Sequence, residues 1–218
     1  PVQAGDAGAN GSPVISYSWN AATKTFYVKS NPLQWKFTNN IVESTVLIET
    51  YYTFIDASDA VKCKYVITVT RGSGVNYPGQ WTETPHSYWT RELQVVKSYT
   101  GTSPWTNDAI SLPTYDYAYS GIPNRVSLFK SPESWVSLED GSGNGIGIFF
   151  PWYIGTDWWG VTQQGELVDG QDYNSGPSMI LQPLYTYNDT GNYVNTKECY
   201  FILGNATKVR QFAYSNRQ

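Results

Sequence analysis

The sequence predicts an all-β protein, an antiparallel two-sheet β-sandwich of jelly-roll-like type with little helix. Short runs of β-branched and aromatic residues are separated by Gly, Pro and Asn turns along most of the 218 residues. No apolar pattern keeps a helical period for about 11 positions. Closing two sheets on each other is how so many half-apolar strands become buried, and the length suits one such domain.

The first half of the chain predicts an arm followed by strands. Residues 1–13 are mostly Gly, Ala and Asn and predict a flexible N-terminal arm, whereas residues 14–218 predict a single sandwich domain. Strands are predicted at 25–29, 33–38, 41–54 and 61–69. The last of these alternates most clearly, with one apolar face made of Val61, Cys63, Tyr65, Ile67 and Val69.

The second half predicts two long loops and further strands. Residues 71–90 and 101–124 contain several Gly and Pro residues and predict loops, which at this length are commonly functional. A hairpin is predicted over 134–150, because Gly-rich residues 140–145 separate two apolar runs. The other strands are predicted at 90–99, 125–129, 179–187, 198–203 and 208–214.

Composition and charge exclude several classes of partner. The net charge is −4 and no basic cluster occurs, which argues against nucleic acid and an anionic membrane surface. No apolar run approaches the roughly 20 residues that span a bilayer. Charged residues make up 15% of the chain and aromatic residues 16%, against roughly 25% charged residues in typical soluble domains. We therefore expect a secreted, extracellular protein.

Cys63 and Cys199 each lie in a predicted strand. In an oxidising compartment they could form one disulfide that ties an early strand to a late one, and otherwise they are two buried thiols. The sequence begins at Pro1 and not with Met. We therefore expect a processed mature protein or a domain cut from a longer polypeptide.

Loop aromatics are the first candidate site. Tryptophan and tyrosine rings stack on the C–H groups of sugar faces, and their polar tips suit wet interfaces. Any one of these rings is more often a core residue, but so many in predicted loops indicate a sugar-stacking platform. The candidates are Trp81, Trp89, Trp105, Trp152, Tyr153, Trp158 and Trp159.

A second candidate site lies around the only histidine. His86, Tyr88 and Arg91 could serve a polysaccharide lyase, which needs a base for the C5 proton and a group that neutralises the uronate carboxylate. Glu92 with Asp157 or Glu166 could instead provide the two carboxyl groups of a glycoside hydrolase. A lone loop histidine beside an exposed ion pair is the structural alternative.

Metal and nucleophile chemistry have weaker support. Asp140, Ser142 and Asn144 fit the first half of a calcium loop, but Pro151 stands where its bidentate carboxylate belongs, so we interpret them as a hairpin turn and expect no cofactor. The sequence has too few His and Cys residues for a zinc site. No nucleophile-elbow sequence accompanies the histidine, which argues against a Ser-His-Asp type of hydrolase.

Several segments resemble those of a known group of proteins. They are TRELQ at 90–94, SYTG at 98–101, PWTN at 104–107, ESWVSL at 133–138, GIGIF at 145–149, YFILG at 200–204 and VRQFAY at 209–214. With these segments the chain resembles secreted microbial β-sandwich domains associated with polysaccharide degradation, of the galactose-mutarotase-like supersandwich type. Arg91 stands where that group usually has Gln, and Gln94 where it has Pro.

The resemblance implies a sugar-linked extracellular role. Our leading hypothesis is a domain that binds a polysaccharide or oligosaccharide through loop aromatics, accessory to polysaccharide degradation. The first alternative is a lyase or glycoside hydrolase with its site around residues 86–92. The second is a structural sandwich domain of a larger secreted protein, with further domains in the same polypeptide.

Overall fold

The computed structural model describes residues 13–32, 46–70, 76–82, 87–90, 92–93, 95–113, 117–118, 127–152, 158–164 and 178–217. Over these residues the strands are β1 (Val14–Asn20), β2 (Thr25–Ser30), β3 (Val46–Ile55), β4 (Ala60–Val69), β5 (Asn76–Thr82), β6 (Ser87–Thr90), β7 (Val95–Tyr99), β8 (Ile110–Ser111), β9 (Tyr117–Ala118), β10 (Ser127–Phe129), β11 (Trp135–Glu139), β12 (Gly145–Phe149), β13 (Trp158–Gln164), β14 (Ser178–Thr190) and β15 (Tyr193–Leu203). The helix α1 spans Ala206–Asn216. It is not long and apolar enough to cross a membrane.

The strands form two sheets. The order in the first is β1–β2–β3–β4–β15–β12–β11–β7–β8, and in the second it is β5–β14–β13–β10–β9, with β6 also paired to β14. Every pair whose register is described is antiparallel, as in β3 against β4, where Val46 faces Val69 and Ile55 faces Ala60. The antiparallel all-β class predicted from the sequence is therefore confirmed.

The chain divides into two compact units. Unit 1 comprises Pro1–Pro78 and Asn188–Cys199, and unit 2 comprises Gly79–Tyr187 and Tyr200–Gln218. Unit 1 contains β1 to β4 and the first part of β15, whereas unit 2 contains β7, β8, β11, β12 and α1. The predicted arm lies almost wholly outside the described residues, and the single sandwich domain stays a prediction.

Unit 1 buries the apolar face that the alternation in β4 predicts. Cys63 and Val69 on that face are 0% and 2% exposed, and Thr50, which lies opposite Tyr65 on β3, is buried too. Residues two apart on a strand share a face, so the sequence period is enough to orient this strand. The predicted strand at 33–38 lies outside the described residues.

Cys63 and Cys199 lie on neighbouring strands, β4 and β15, and both are fully buried free thiols. Burial raises the pKa of the Cys199 thiol well above its ordinary value, and a hydrogen bond with Cys63 raises it further. A thiolate is the reactive form of cysteine, so the raised pKa of Cys199 disfavours nucleophilic chemistry at this residue.

Unit 2 packs the helix α1 on the hairpin of β11 and β12. Trp135, Val136, Leu138, Ile148 and Phe149 of the hairpin are fully buried. The predicted strand at 208–214 is wrong, because these residues belong to α1. The Asn205 side chain caps this helix by accepting the backbone N–H of Lys208 at 3.1 Å. Its buried face consists of Ala206, Val209 and Ala213.

The helix approaches β12 at a glycine. A Cβ on Gly147 would lie 2.4 Å from both γ-carbons of Val209, so only a residue without a side chain fits between them. Phe212 packs beside this contact, with its ring centroid 5.2 Å from that of Tyr200. Gly147 therefore sets how closely α1 can lie on the sheet.

The predicted loop at 71–90 is also partly wrong. Its residues include β5 (Asn76–Thr82) and β6 (Ser87–Thr90). The predicted strand at 90–99 begins only at Val95, and an unpredicted strand, β1, precedes the first predicted one. Gly and Pro residues predict loops locally, but strand pairing with β14 determines the structure of β6.

Gly147→Ala should lower the free energy of unfolding by about 1–3 kcal/mol, as overpacking a core typically does. Denaturant titration followed by tryptophan fluorescence measures this. Gly141→Ala is the matched control, because a Cβ there meets no atom within 4 Å, and it should change stability by less than about 0.5 kcal/mol. Equal effects of the two substitutions would contradict the close approach of α1 to β12.

Neither cysteine should react with a water-soluble aromatic disulfide reagent while the protein is folded, since both side chains are 0% exposed. After unfolding in guanidinium without reductant, both thiols should react, which the released chromophore measures. Reaction only after a reductant is added would instead show that Cys63 and Cys199 form the disulfide considered above.

Candidate functional site

A groove of about 810 Å³ lies in unit 2. Its walls come from the loop at 101–109, from β7 and β11, and from α1. We call it the groove. The lining side chains that determine its chemistry are Lys97, Trp105, Asp108, Glu139, Arg210 and Tyr214.

The loop at 101–109 folds around a buried tyrosine. Tyr99 at the end of β7 is 0% exposed, and its hydroxyl donates to the backbone oxygen of Ser103 at 2.5 Å. A Cβ at Gly101 would lie 2.4 Å from the same hydroxyl, so any larger residue there would displace the Tyr99 ring. Within the SYTG segment, Tyr99 thus holds the loop in place, and Gly101 leaves room for the Tyr99 hydroxyl.

Trp105 and Tyr214 form the aromatic side of the groove. Their ring centroids are 6.1 Å apart in an edge-on arrangement, and 49% of Tyr214 is exposed. Two guanidinium groups approach the Trp105 ring, that of Arg217 at 5.4 Å and that of Arg210 at 5.9 Å. Cation–π contacts of this kind hold the ring in place.

The backbone of Trp105 is strained. Its φ of 65° lies in the left-handed region, which is a genuine outlier for a bulky residue. The backbone N–H of Trp105 donates to Glu133 Oε1 at 2.7 Å, and this bond helps to maintain the conformation. Strain of this kind persists only where surrounding structure imposes it, and it is common at functional sites.

Glu133 joins three elements of unit 2. It is 0% exposed, and besides the N–H of Trp105 it accepts the indole N–H of Trp135 at 2.6 Å. The Arg210 guanidinium donates to both carboxylate oxygens, from Nε to Oε2 at 2.7 Å and from Nη2 to Oε1 at 2.8 Å. These hydrogen bonds raise the pKa of Arg210 above its ordinary value. A buried charge requires such complete pairing.

The two carboxylates that line the groove, Asp108 and Glu139, are also paired. Asp108, 91% exposed, accepts Nη1 of Arg210 at 2.5 Å. Glu139 is buried, with Oε2 3.7 Å from Lys97 Nζ, and Oε1 accepts the backbone N–H of Ala206 in the first turn of α1. The positive end of a helix favours a carboxylate at this position.

Of the predicted loop aromatics, Trp105 lines the groove. Trp152 is half-buried and packs edge-on against Phe150 at 5.3 Å. Trp89 is half-buried in β6, where its indole N–H donates to Ser87 Oγ at 3.0 Å.

The predicted loop position is wrong for four of the candidate tryptophans, which belong to strands. Trp81 lies in β5, Trp89 in β6, and Trp158 and Trp159 in β13. The side chains of Trp81, Trp158 and Trp159 lie outside the described residues, as does Tyr153. A role for them in binding stays a prediction.

The candidate catalytic cluster is described only in part. Glu92 is exposed, and the backbone of Tyr88 belongs to β6 opposite Ile180. His86 and Arg91 lie outside the described residues, as do Asp157 and Glu166. The lyase and hydrolase assignments around residues 86–92 therefore stay predictions.

The candidate calcium residues form a hairpin turn. Asp140 Oδ1 accepts the backbone N–H groups of Ser142 and Asn144, each at 2.8 Å, and Oδ2 accepts the Asn144 amide at 2.9 Å. These bonds, led by that of the Asn144 side chain, lower the pKa of Asp140. No cluster of three His, Cys, Asp or Glu side chains suited to a metal occurs in the part of the chain that the structure describes.

Sequence reasoning missed most of the residues that build the groove, namely Lys97, Asp108, Glu133, Glu139, Arg210 and Tyr214. One signal was available. The segments at 98–101, 104–107, 133–138 and 209–214, which carry the resemblance, all belong to unit 2. Hydrogen bonds from Tyr99 to Asn107, from Trp105 to Glu133 and from Arg210 to Glu133 join them, and two of the segments line the groove. Their joint occurrence pointed to this part of the molecule, although not to the roles of the residues.

No protein-family model and no curated protein matches the sequence. Among solved structures, a galactose mutarotase-like protein from Lactobacillus casei matches 89% of this chain and 73% of its own, with 9% identity and a TM-score of 0.52. A putative mutarotase from Salmonella typhimurium matches 92% of this chain and 67% of its own, with 10% identity and a TM-score of 0.50.

The likeness to these structures shows the fold, which is the galactose mutarotase-like sandwich. A putative aldose 1-epimerase from Klebsiella pneumoniae is 10% identical over 96% of this chain, with a TM-score of 0.49, and this chain spans 60% of its length. At such identities, residue roles do not carry over from one protein to another.

Glu133→Gln should lower the free energy of unfolding by about 3 kcal/mol, because it removes the charge that compensates the largely buried Arg210. Denaturant titration measures the change. Asp56→Asn is the control, since its ion pair with Lys24 lies on the surface, with 65% and 52% of the side chains exposed, and should matter by less than about 1 kcal/mol. A Glu133→Gln effect as small as the control's would contradict the structural role of this carboxylate.

Proposed function

We propose that this protein binds carbohydrate in the groove of unit 2, as an extracellular domain accessory to polysaccharide degradation. The observation that carries the proposal is the Trp105–Tyr214 pair, two rings beside polar and charged side chains in one open groove. The Arg217 guanidinium lies 3.5 Å from the centroid of the Tyr214 ring, so a sugar would place its C–H groups on the ring surface that Arg217 leaves uncovered, while the neighbouring side chains hydrogen-bond its hydroxyls. A volume of about 810 Å³ is within the range of small-molecule sites.

The charges of the groove favour a neutral sugar. Arg210 is paired with Glu133 and Asp108, and Lys97 lies 3.7 Å from Glu139. Both cations that line the groove therefore have a carboxylate partner within unit 2. Asn107 and Gln211, which also line the groove, are uncharged hydrogen-bonding groups suited to sugar hydroxyls.

The same pairing favours binding over hydrolysis in this groove. A glycoside hydrolase needs one carboxyl group that gives a proton and a second that acts as base or nucleophile. Asp108 is paired with Arg210, and Glu139 accepts the N–H of Ala206 at the start of α1. Both carboxylates are held as hydrogen-bond acceptors by donors of the protein itself.

The fold supports a sugar-related role more generally. Its structural neighbours include proteins described as galactose mutarotase-like and as a putative mutarotase. Because identity is 9–10%, this support concerns the class of ligand alone. The secreted location rests on the low content of charged residues and the high content of aromatic residues.

Trp105→Ala should weaken glycan binding at least about tenfold, because a buried aromatic contact contributes a large share of binding energy. A glycan array identifies the ligand, and calorimetry measures the affinity. Trp19→Ala is the control, since this residue lies in unit 1 with 54% of its surface exposed and should leave binding unchanged. Unchanged affinity in Trp105→Ala would remove the groove as the binding site.

The enzymatic alternative predicts a different result. A panel of polysaccharides assayed for new reducing ends and for unsaturated sugars would detect a hydrolase or a lyase. Activity that is lost in His86→Ala or Glu92→Gln would establish the alternative site around residues 86–92. If no glycan is bound or cleaved, the structural-domain alternative is favoured.

A further inference from the structure

A second, shallower depression lies in unit 1, on one face of the sheet formed by β1, β2 and β3. Its volume is about 350 Å³, and the residues that line it are Ser18, Asn20, Thr23, Thr25, Tyr27 and Tyr51. We call it the hydroxyl pocket. Tyr27 lies opposite Ser18 on β1 and opposite Tyr51 on β3. Residues opposite each other in antiparallel strands project to the same face, which explains why these side chains meet.

Two tyrosine rings form one end of the hydroxyl pocket. The centroids of Tyr27 and Tyr51 are 4.9 Å apart, with 45° between the ring planes. The Tyr27 hydroxyl donates to Glu49 Oε1 at 2.8 Å, and Lys64 Nζ lies 5.9 Å from the centroid of the Tyr51 ring. These contacts orient both rings, and a further hydrogen bond joins the Tyr27 hydroxyl to the side chain of Ser16.

Small polar side chains form the other end. Thr23 Oγ1 donates to Thr25 Oγ1 at 3.0 Å, and Asn20 Oδ1 accepts the backbone N–H groups of Ala22 and Thr23 at 3.0 and 3.2 Å. These bonds hold the β1–β2 turn in place. The hydrogen bonds to Ala22 and Thr23 use the side-chain oxygen of Asn20 and not its amide hydrogens. The exposed Ser18 hydroxyl also lines the pocket.

The lining defines the chemistry of a ligand. No lining residue is charged, so the pocket has no group that would bind a phosphate or a carboxylate, and no lining residue is aliphatic. Each of the six side chains carries a hydroxyl or an amide, and two also offer a ring. This combination suits a neutral polyhydroxylated ring, whose C–H face meets an aromatic side chain and whose hydroxyls meet donors and acceptors.

We propose that the hydroxyl pocket is a second carbohydrate contact, which binds one neutral sugar residue in addition to the groove of unit 2. The proposal rests on the proposed function for the class of ligand. It differs in the residues involved, because every lining residue of the hydroxyl pocket belongs to unit 1.

The test is a backbone amide NMR titration of the full chain with neutral hexasaccharides of glucose, xylose, mannose and galactose. Trp105→Ala removes the ring of the groove, and the hexasaccharide that wild type binds should still shift resonances of β1 and β2. Adding Tyr51→Ala should weaken that remaining contact about tenfold. Ser18→Ala, at an exposed position, provides a milder variant with the same expected direction.

Tyr17→Ala is the matched control. Tyr17 precedes Ser18 on β1, projects to the opposite face and is 74% exposed, so its removal should leave the contact unchanged. An equal loss in Tyr17→Ala and in Tyr51→Ala would overturn the proposal.

The outcomes separate this proposal from the proposed function. Loss of all shifts in Trp105→Ala overturns the hydroxyl pocket and leaves the groove as the binding site. Shifts confined to β1, β2 and β3 in wild type support the hydroxyl pocket and overturn the groove. Absence of binding by wild type to every hexasaccharide overturns both.

Discussion

Unit 2 depends on one buried carboxylate. Glu133 accepts hydrogen bonds from the backbone of Trp105, from the indole of Trp135 and from the guanidinium of Arg210. A charge inside a protein is stable only when its oxygens are satisfied, so the loop, the strand β11 and the helix α1 stabilise one another through it. The position of these three elements around Glu133 determines the width and the lining of the groove.

Much of the fold could be predicted because it follows period-two patterning. The strands β4, β11 and β12 were predicted almost to their ends, since alternating or continuous apolar runs specify which face of a strand is buried. The helix α1 was missed because its buried face uses Ala206, Val209 and Ala213, of which two are small. The Asn205 cap is the remaining local signal of the helix, whereas Val209, Phe212 and Tyr214 among polar neighbours favour a strand at 208–214.

The site was less predictable than the fold. Trp105 could be named as a candidate from its residue type and its loop position, and it lines the groove, but its role in binding stays a prediction. The residues that hold Trp105 in place, Glu133 and Arg210, could not be named from the sequence. They are 77 residues apart, and a single sequence does not specify which carboxylate becomes buried. The loop predicted around Trp158 and Trp159 is wrong. Neighbouring Gly and Pro residues indicate a loop, but pairing with β14 makes these residues part of a strand.

The left-handed backbone and the contacts of Trp105 fix its conformation before any ligand binds. Its ring is already held by Tyr214 and by two guanidinium groups, and its N–H by a buried carboxylate. The conformational entropy of this loop is therefore lost during folding and not on encounter with a ligand. If the groove binds a sugar as proposed, this preorganised ring loses little freedom of its own, so the flexibility of the ligand, more than that of the protein, limits the affinity.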